Sequence, residues 1–359
     1  MAIRRLRIDS FRNLQPLDLT PGTGANLLLG PNGAGKTSLI EAIALLGRGR
    51  SFRTHRAADC ITHGAPGFRV VIERESPRGR VRLGLERTPA GWKARLDGHE
   101  CRQLVELSQH LPLAVIEPDL HLLISGGPRL RRRYLDWGLF HVEPDFLGLW
   151  QQHERALRQY NHALRTGSQE RTLDSLAQAL APLAERLHAS RAAYVECLAA
   201  ALLHLVQHIA PGLSGLHLAL RRGWPENGSV IEALRSGRDR DRRYGHLRQG
   251  AHRDELAILS GPHPAHNELS RGQQKLAALL LLLTQLELWR KRCAYPPLVL
   301  IDDPLAELDR AHQERILTWL KGSGLQFWLT AADWPAALDD ALGEHARFHV
   351  EQGRVQRVV

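Results

Sequence analysis

The sequence has only four cysteines, Cys60, Cys101, Cys197 and Cys293, far apart and with no CxxC pair. That excludes a disulfide framework and a Cys-based zinc site, and it fits a reducing compartment such as the cytoplasm. There is no long hydrophobic run. The longest, LAALLLLLTQL from Leu276, extends about ten residues, where crossing a bilayer takes roughly twenty; it suits a buried core helix. The start, MAIRRLRIDSFRNL, lacks the apolar segment of a secretory signal. A cytoplasmic protein with no membrane partner is expected. Lysine is nearly absent too: five of the 48 basic residues. Against 38 acidic residues the net charge is +10, which is compatible with a polyanionic partner. An arginine bias of this kind also follows from a GC-rich coding sequence, so charge alone does not decide the matter.

What is present is a chain of 359 residues, 43% hydrophobic and 24% charged, enough for two or three globular units. IRRLRIDSF carries Ile3, Leu6 and Ile8 between basic residues and reads as a strand; ANLLLG is a short buried one. KTSLIEAIALLG has helical spacing at Leu39, Ile40, Ile43 and Leu46 and is expected to end on Gly47. FRVVIE, RVRLGLE and WKARLD, between Pro/Gly turns, predict an antiparallel patch. From about Pro118 the pattern turns helical. Leu173, Leu176, Leu180, Leu183 and Leu187 make a short heptad seam, interrupted at Pro182 and too short for a long arm. Arg221 to Asp254 is arginine-rich and turn-rich. After Ser270 helices and apolar strands alternate, as in a parallel sheet with crossover helices.

The strongest motif is GPNGAGKT, which fits G-x-x-x-x-G-K-[ST] at every position with a strand before it and a helix after. Gly30, Gly33 and Gly35 let the backbone, with Pro31, Asn32 and Ala34, turn its N–H groups toward a phosphate. The helix N-terminus adds its positive end. Lys36 reaches the β- and γ-phosphates, and the Thr37 hydroxyl is placed to ligand Mg²⁺. ATP and Mg²⁺ are therefore the expected cofactors. LVLIDDPLAELD supplies a buried strand ending in Asp302 and Asp303. In a P-loop enzyme the first carboxylate holds the metal shell, and the second can orient an attacking water.

LSRGQQ is similar to the LSGGQ signature of ATP-binding-cassette (ABC) ATPases at Leu269, Ser270, Gly272 and Gln273, with Arg271 in place of the first glycine. By itself it also reads as an ordinary serine cap on a helix. In that superfamily the motif docks on the γ-phosphate held by the other subunit, and AELD resembles the accompanying D-loop. Lys36 and Ser270 lie 234 residues apart. That is too far for a transporter subunit and too near for a long-armed chromosome protein. A transporter-type P-loop ATPase, a kinase and a structural chromosome ATPase stay open as alternatives on motifs alone.

Together with these motifs, IDSFRNL (Ile8–Leu14), GRSFRTHR (Gly49–Arg56), PDLHLLISGGPRLRRRYLD (Pro118–Asp136) and AHRDEL (Ala251–Leu256) make the chain resemble the RecF family over nearly its whole length. The resemblance implies an α/β, ABC-ATPase-like P-loop head with an antiparallel β patch, residues 1–117 and 245–359. A compact α-helical lobe, residues 118–244, is inserted in it. It implies a weak ATPase with Lys36 and Asp303 in catalysis, Thr37 and Asp302 on the metal, and Ser270, Gly272 and Gln273 acting in trans. It also implies an ATP-driven homodimer that binds DNA, works with RecO and RecR, helps load recombinase and serves fork maintenance and the SOS response. Thr330 and Asp333 stand where the family has a threonine-rich switch, and Pro304 and Ala306 depart from its usual residues. Candidate DNA contacts are the run Arg129, Arg131, Arg132 and Arg133, and Arg53 and Arg56 in the cluster begun by Arg48 and Arg50. His204 with His208, and His263 with His266, read as surface pairs.

Overall fold

Ile3, Leu6 and Ile8 cannot share one face of a regular strand, because the first two are an odd number of positions, three, apart. The chain solves this with a β-bulge between Ile3 and Arg5, after which all three are buried. This strand, Ala2–Asp9, belongs to a six-stranded antiparallel sheet with Leu17–Leu19, Phe68–Ser76, Gly79–Thr88, Gly91–Leu96 and His99–Glu100. A second six-stranded sheet runs Leu113–Ile116, Leu298–Asp302, Phe327–Ala331, Ala25–Leu29 and His345–Glu351, all parallel, with Arg354–Val358 antiparallel at one edge. The coordinates are a computed structural model that describes residues 2–76, 79–293, 296–303 and 308–358.

The helix Lys36–Arg48 packs against both sheets and is buried from Ser38 to Gly47. Its apolar side chains meet Ile8, Val70, Ile72 and Leu83 from the antiparallel sheet and Leu28, Leu113, Leu300 and Trp328 from the parallel one, in a single core. Gly47 does not end this helix. It lies inside it, where a Cβ would come within 2.2 Å of the Leu113 side chain; the cap is Gly49, with φ 69°. These sheets and helix, with the helices Leu104–His110, Arg310–Gly322 and Asp339–Leu342, belong to the first unit, Met1–Leu120 with Ala294–Val359.

The second unit is His121–Cys293. It is larger than the lobe expected from the sequence, because residues 245–293 pack inside it. Glu255–Ser260 pairs antiparallel with Leu216–Arg221, and the helix Arg271–Arg292 packs on the long helix Glu170–Ile209. That helix runs unbroken for 40 residues through Pro182. Pro182 cannot donate to the Gln178 carbonyl, but both residues are exposed, so the break in bonding falls on a solvent-facing side. Length and composition alone would let this helix cross a membrane. Here Leu173, Ala177, Leu180, Ala184 and Leu187 form its buried stripe, a 3.6-residue core pattern in which Leu176 and Leu183 are only partly covered. The arginine-rich stretch contains two short helices, Val230–Ser236 and Arg238–Tyr244.

The second unit also buries a charge network. Arg191, 2% exposed, grips Asp136 with two hydrogen bonds of 2.8 and 2.9 Å and donates to Asp254 at 3.1 Å and to the Ala251 carbonyl at 2.6 Å. Asp254 is fully buried and also accepts from the Gly223 N–H. The AHRDEL stretch thus acts as a clamp that ties two helices to the small sheet.

Candidate functional site

A cavity of about 510 Å³ opens in the first unit over the glycine loop. Asn32, Gly33, Gly35, Lys36 and Thr37 line one side, and Asp302, Asp303 and Thr330 another. Arg12, Asn13, Arg53, Asp59 and Ile61 also line it. Strand order explains the meeting. Ala25–Leu29, Phe327–Ala331 and Leu298–Asp302 are parallel neighbours, so their carboxyl ends reach one edge of the sheet together. Ligands of open parallel sheets bind at that edge.

Glycine is required in the loop for concrete reasons. A Cβ at Gly30 would fall 1.9 Å from the Val350 carbonyl oxygen, and Gly35 has φ 117°. The loop is braced from outside: the Gly353 N–H donates to the Ala34 carbonyl at 2.8 Å, and the Asn13 amide donates to the Gly33 carbonyl at 3.0 Å. Ser38 in turn donates to Asn13 at 2.8 Å. Lys36, 8% exposed, donates to the carbonyls of Gly30 and Pro31. Burial pushes its pKa below the ordinary lysine value, and Asp303 and Asp302 oppose that shift.

Thr37 donates to Asp302 at 2.9 Å across 265 residues of sequence. Thr330 donates to the same carboxylate oxygen at 2.9 Å, and its own oxygen accepts the Asp303 N–H at 3.0 Å. That bond holds Asp303 in a left-handed backbone conformation, φ 48°, which costs an aspartate energy unless its surroundings enforce it. Thr330→Val removes both bonds and takes a donor from the buried Asp302 carboxylate. The expected result is a loss of about 1–3 kcal/mol in stability, read as a lower unfolding midpoint.

The donors suit a small hard cation. Thr37 and Asp302 present oxygens only, and among the described residues no group of three or more His, Cys, Asp or Glu could hold a metal. Two protein oxygens, with phosphates and waters completing the shell, is the pattern Mg²⁺ takes.

The other candidates are placed unequally. Ser270 caps the helix Arg271–Arg292 in a capping box: its Oγ accepts from the Gln273 N–H at 3.4 Å, and the Gln273 side chain accepts from the Ser270 N–H at 2.9 Å. Ser270, Arg271, Gly272 and Gln273 are all exposed. A Cβ on Gly272 would meet nothing within 4 Å among the described residues, so their packing does not demand glycine there. Of the basic run, Arg131 and Arg132 turn inward. Arg131 pairs with Glu255 at 2.5 Å and donates to the carbonyls of Gly126 and Ile124; Arg132 donates to the Asp254 carbonyl. They tie helix ends to the clamp, whereas Arg129 and Arg133 are exposed. Arg56 and Arg53 are both exposed, and Arg53 also lines the cavity and contacts Glu41. Asp333 is exposed, accepts the Trp334 N–H and does not line the cavity. Pro304, and Ala306 and Glu307 of AELD, lie outside the described residues. Motif reading missed Arg12, Asn13 and Glu41; the available signal was a polar pair held between the buried residues Phe11 and Leu14.

A glycine loop between strand and helix, facing two aspartates at the end of a parallel strand two places along the same sheet, defines an α/β head of ABC-ATPase-like fold. Residues 2–335 match the RecF/RecN/SMC N terminal domain family. The chain is 40% identical to the DNA replication and repair protein RecF of Stenotrophomonas maltophilia over 100% of both chains. It is 42% identical to that of Xanthomonas oryzae pv. oryzae, covering 99% of this chain and 98% of the relative. Among solved structures, the recombination mediator protein RecF-ATPrS in the RecFOR pathway matches with a TM-score of 0.84 and 25% identity over 99% of this chain and 98% of that one. An Smc head bound to the C-winged helix domain of ScpA matches in fold, with a TM-score of 0.62 and 16% identity over 100% and 97% of the two chains. The chain belongs to the RecF family.

Proposed function

We propose that the protein is a RecF-type ATP-binding protein of DNA replication and recombinational repair, and a weak ATPase acting in the cytoplasm. One observation carries the reading. Thr37 and Asp302, joined by a 2.9 Å hydrogen bond, bring the two distant nucleotide motifs to a single cavity in a chain that matches RecF proteins end to end.

In this reading the N–H groups of Gly33 to Lys36 hold a phosphate, and Lys36 keeps one ammonium hydrogen for it beyond the two given to loop carbonyls. Thr37 and Asp302 hold Mg²⁺, which when bound neutralises phosphate charge. Asp303, fixed by Thr330, orients the attacking water and accepts its proton. Positioning does most of the work, so turnover is slow. Ser270, Gly272 and Gln273 cap the γ-phosphate of a second subunit, and their exposure supports this. In the capping box the Ser270 Oγ only accepts, from the Gln273 N–H, so its O–H can donate to that phosphate with the cap intact. ATP thereby drives dimerisation, the dimer binds DNA, and hydrolysis releases it. RecO, RecR, recombinase loading and the SOS response enter through the same family reading. Arg129, Arg133 and Arg56, exposed and outside the cavity lining, are the candidates for DNA phosphates.

The test is binding to gapped, duplex and single-stranded DNA with and without ATP, across a salt series. ATP is expected to tighten binding, and log affinity should fall linearly with log salt. Binding indifferent to ATP on every substrate would overturn the reading.

A further inference from the structure

One wall of the cavity converges on a carboxylate that never reaches it. Glu41, on the helix Lys36–Arg48, is fully buried. It accepts from Arg12 Nε at 3.0 Å and Arg12 Nη2 at 2.7 Å. It also accepts from the Ser51 hydroxyl and, at 3.5 Å, from Arg53 Nη1. Burial acts to raise its pKa; the bonds from Arg12 and Ser51, with the Arg12 and Arg53 charges, outweigh that and hold it below the ordinary carboxylate value. Glu41 is therefore a buried anion at neutral pH.

The groups bound to Glu41 are the ones that shape the wall. Ser51 Oγ also accepts the N–H groups of Arg53 and Thr54, so the carboxylate anchors the loop that carries Arg53 into the cavity. Arg12 sits at φ 53°, in a turn where Ser10 is also left-handed at φ 56°. The turn is locked by the Arg12 N–H on the Cys60 carbonyl at 2.7 Å and by Arg12 Nη1 on the Asp59 carbonyl at 2.8 Å. A guanidinium has five N–H groups. Three of those on Arg12 are spoken for, which leaves one on each terminal nitrogen. Arg12 and Arg53 both line the cavity that holds Lys36.

We infer that Glu41 is a positioning residue of the nucleotide site: it holds Arg12 and Arg53 so that their remaining N–H groups meet the phosphate oxygens of the bound nucleotide. The inference rests on the nucleotide reading of this cavity. It has a sign that a charge argument lacks. By charge alone, removing a carboxylate near a polyanion tightens binding. If Glu41 works by holding two guanidinium groups in place, removing its charge weakens binding, because bidentate geometry is lost.

The test is titration of a fluorescent ATP analogue into wild-type protein, Glu41→Gln, the double variant Arg12→Ala with Arg53→Ala, and the triple combination, each checked for folding by circular dichroism. Glu41→Gln should weaken binding roughly tenfold, and the same change should have no further effect in the double-variant background. Equal or tighter binding by Glu41→Gln overturns the inference, as does an undiminished loss in the triple combination. If Glu41→Gln does not fold, Arg12→Lys decides, since it keeps the charge and loses the two-point grip: weaker binding supports the inference and unchanged binding overturns it. Absence of binding by the wild-type protein would instead sink the nucleotide reading itself.

Discussion

Lys36→Met should reduce ATP binding by at least about a hundredfold, roughly 2.7 kcal/mol, while the chain stays folded. Methionine matches the linear aliphatic stem and fills the same buried space. What it removes is the one positive charge on the glycine loop, together with the donor to the Gly30 and Pro31 carbonyls. Water can replace the donor at the exposed Pro31, whereas the buried Gly30 carbonyl loses its partner at a cost of about 1–3 kcal/mol. A phosphate has no such substitute, because charge-assisted bonds from a partly desolvated ammonium are about twice as strong as neutral ones. Equilibrium binding by calorimetry checks the affinity, and an unfolding midpoint within a few degrees of wild type checks the fold. Near-normal affinity would mean the cavity binds nucleotide by other groups, or not at all.

The second large effect is on assembly. Ser270→Arg should leave each subunit's ATP binding unchanged and abolish ATP-dependent dimerisation. Within the subunit the change loses a helix cap, worth about 1 kcal/mol. Between subunits it places a long side chain where a phosphate must dock. Ser270→Asp separates the two effects, because aspartate keeps the cap yet sets a carboxylate against the γ-phosphate. Both variants should remain monomeric with ATP in light scattering or analytical ultracentrifugation, while wild type doubles its mass. The reading gains weight from Gly272, which the packing of the described residues leaves free to carry a side chain although glycine there costs helix stability. A Ser270→Asp dimer with ATP would refute the shared site.

Much of this was legible in the chain. GPNGAGKT specifies its own conformation, since three glycines and a flanking strand and helix leave the loop few alternatives. Four apolar residues before Asp302 specify a buried strand. The antiparallel patch followed from alternation and turns. Less legible was anything set by packing between distant segments. Pro182 argued for a break in the long helix, but its lost bond falls on a solvated face. Gly47 argued for a helix end, but the glycine is there to let Leu113 approach. Arg131 and Arg132 looked like part of a basic surface and are spent on helix ends and on the Arg191–Asp254 clamp.

By itself, then, the sequence determined the local chemistry: a glycine loop of the P-loop pattern, a capped helix and a strand running into two carboxylates. Each depends on backbone conformations that neighbours in sequence dictate. Only the tertiary structure decided which of these meet. The order of parallel strands brings Thr330 between Thr37's carboxylate partner and the strained Asp303. The enclosure of the first helix by two sheets turns Glu41 from an ordinary helical residue into a buried anion. The physical reason is that desolvation and long-range hydrogen bonds are properties of packed neighbours, and no local pattern encodes which neighbours those are.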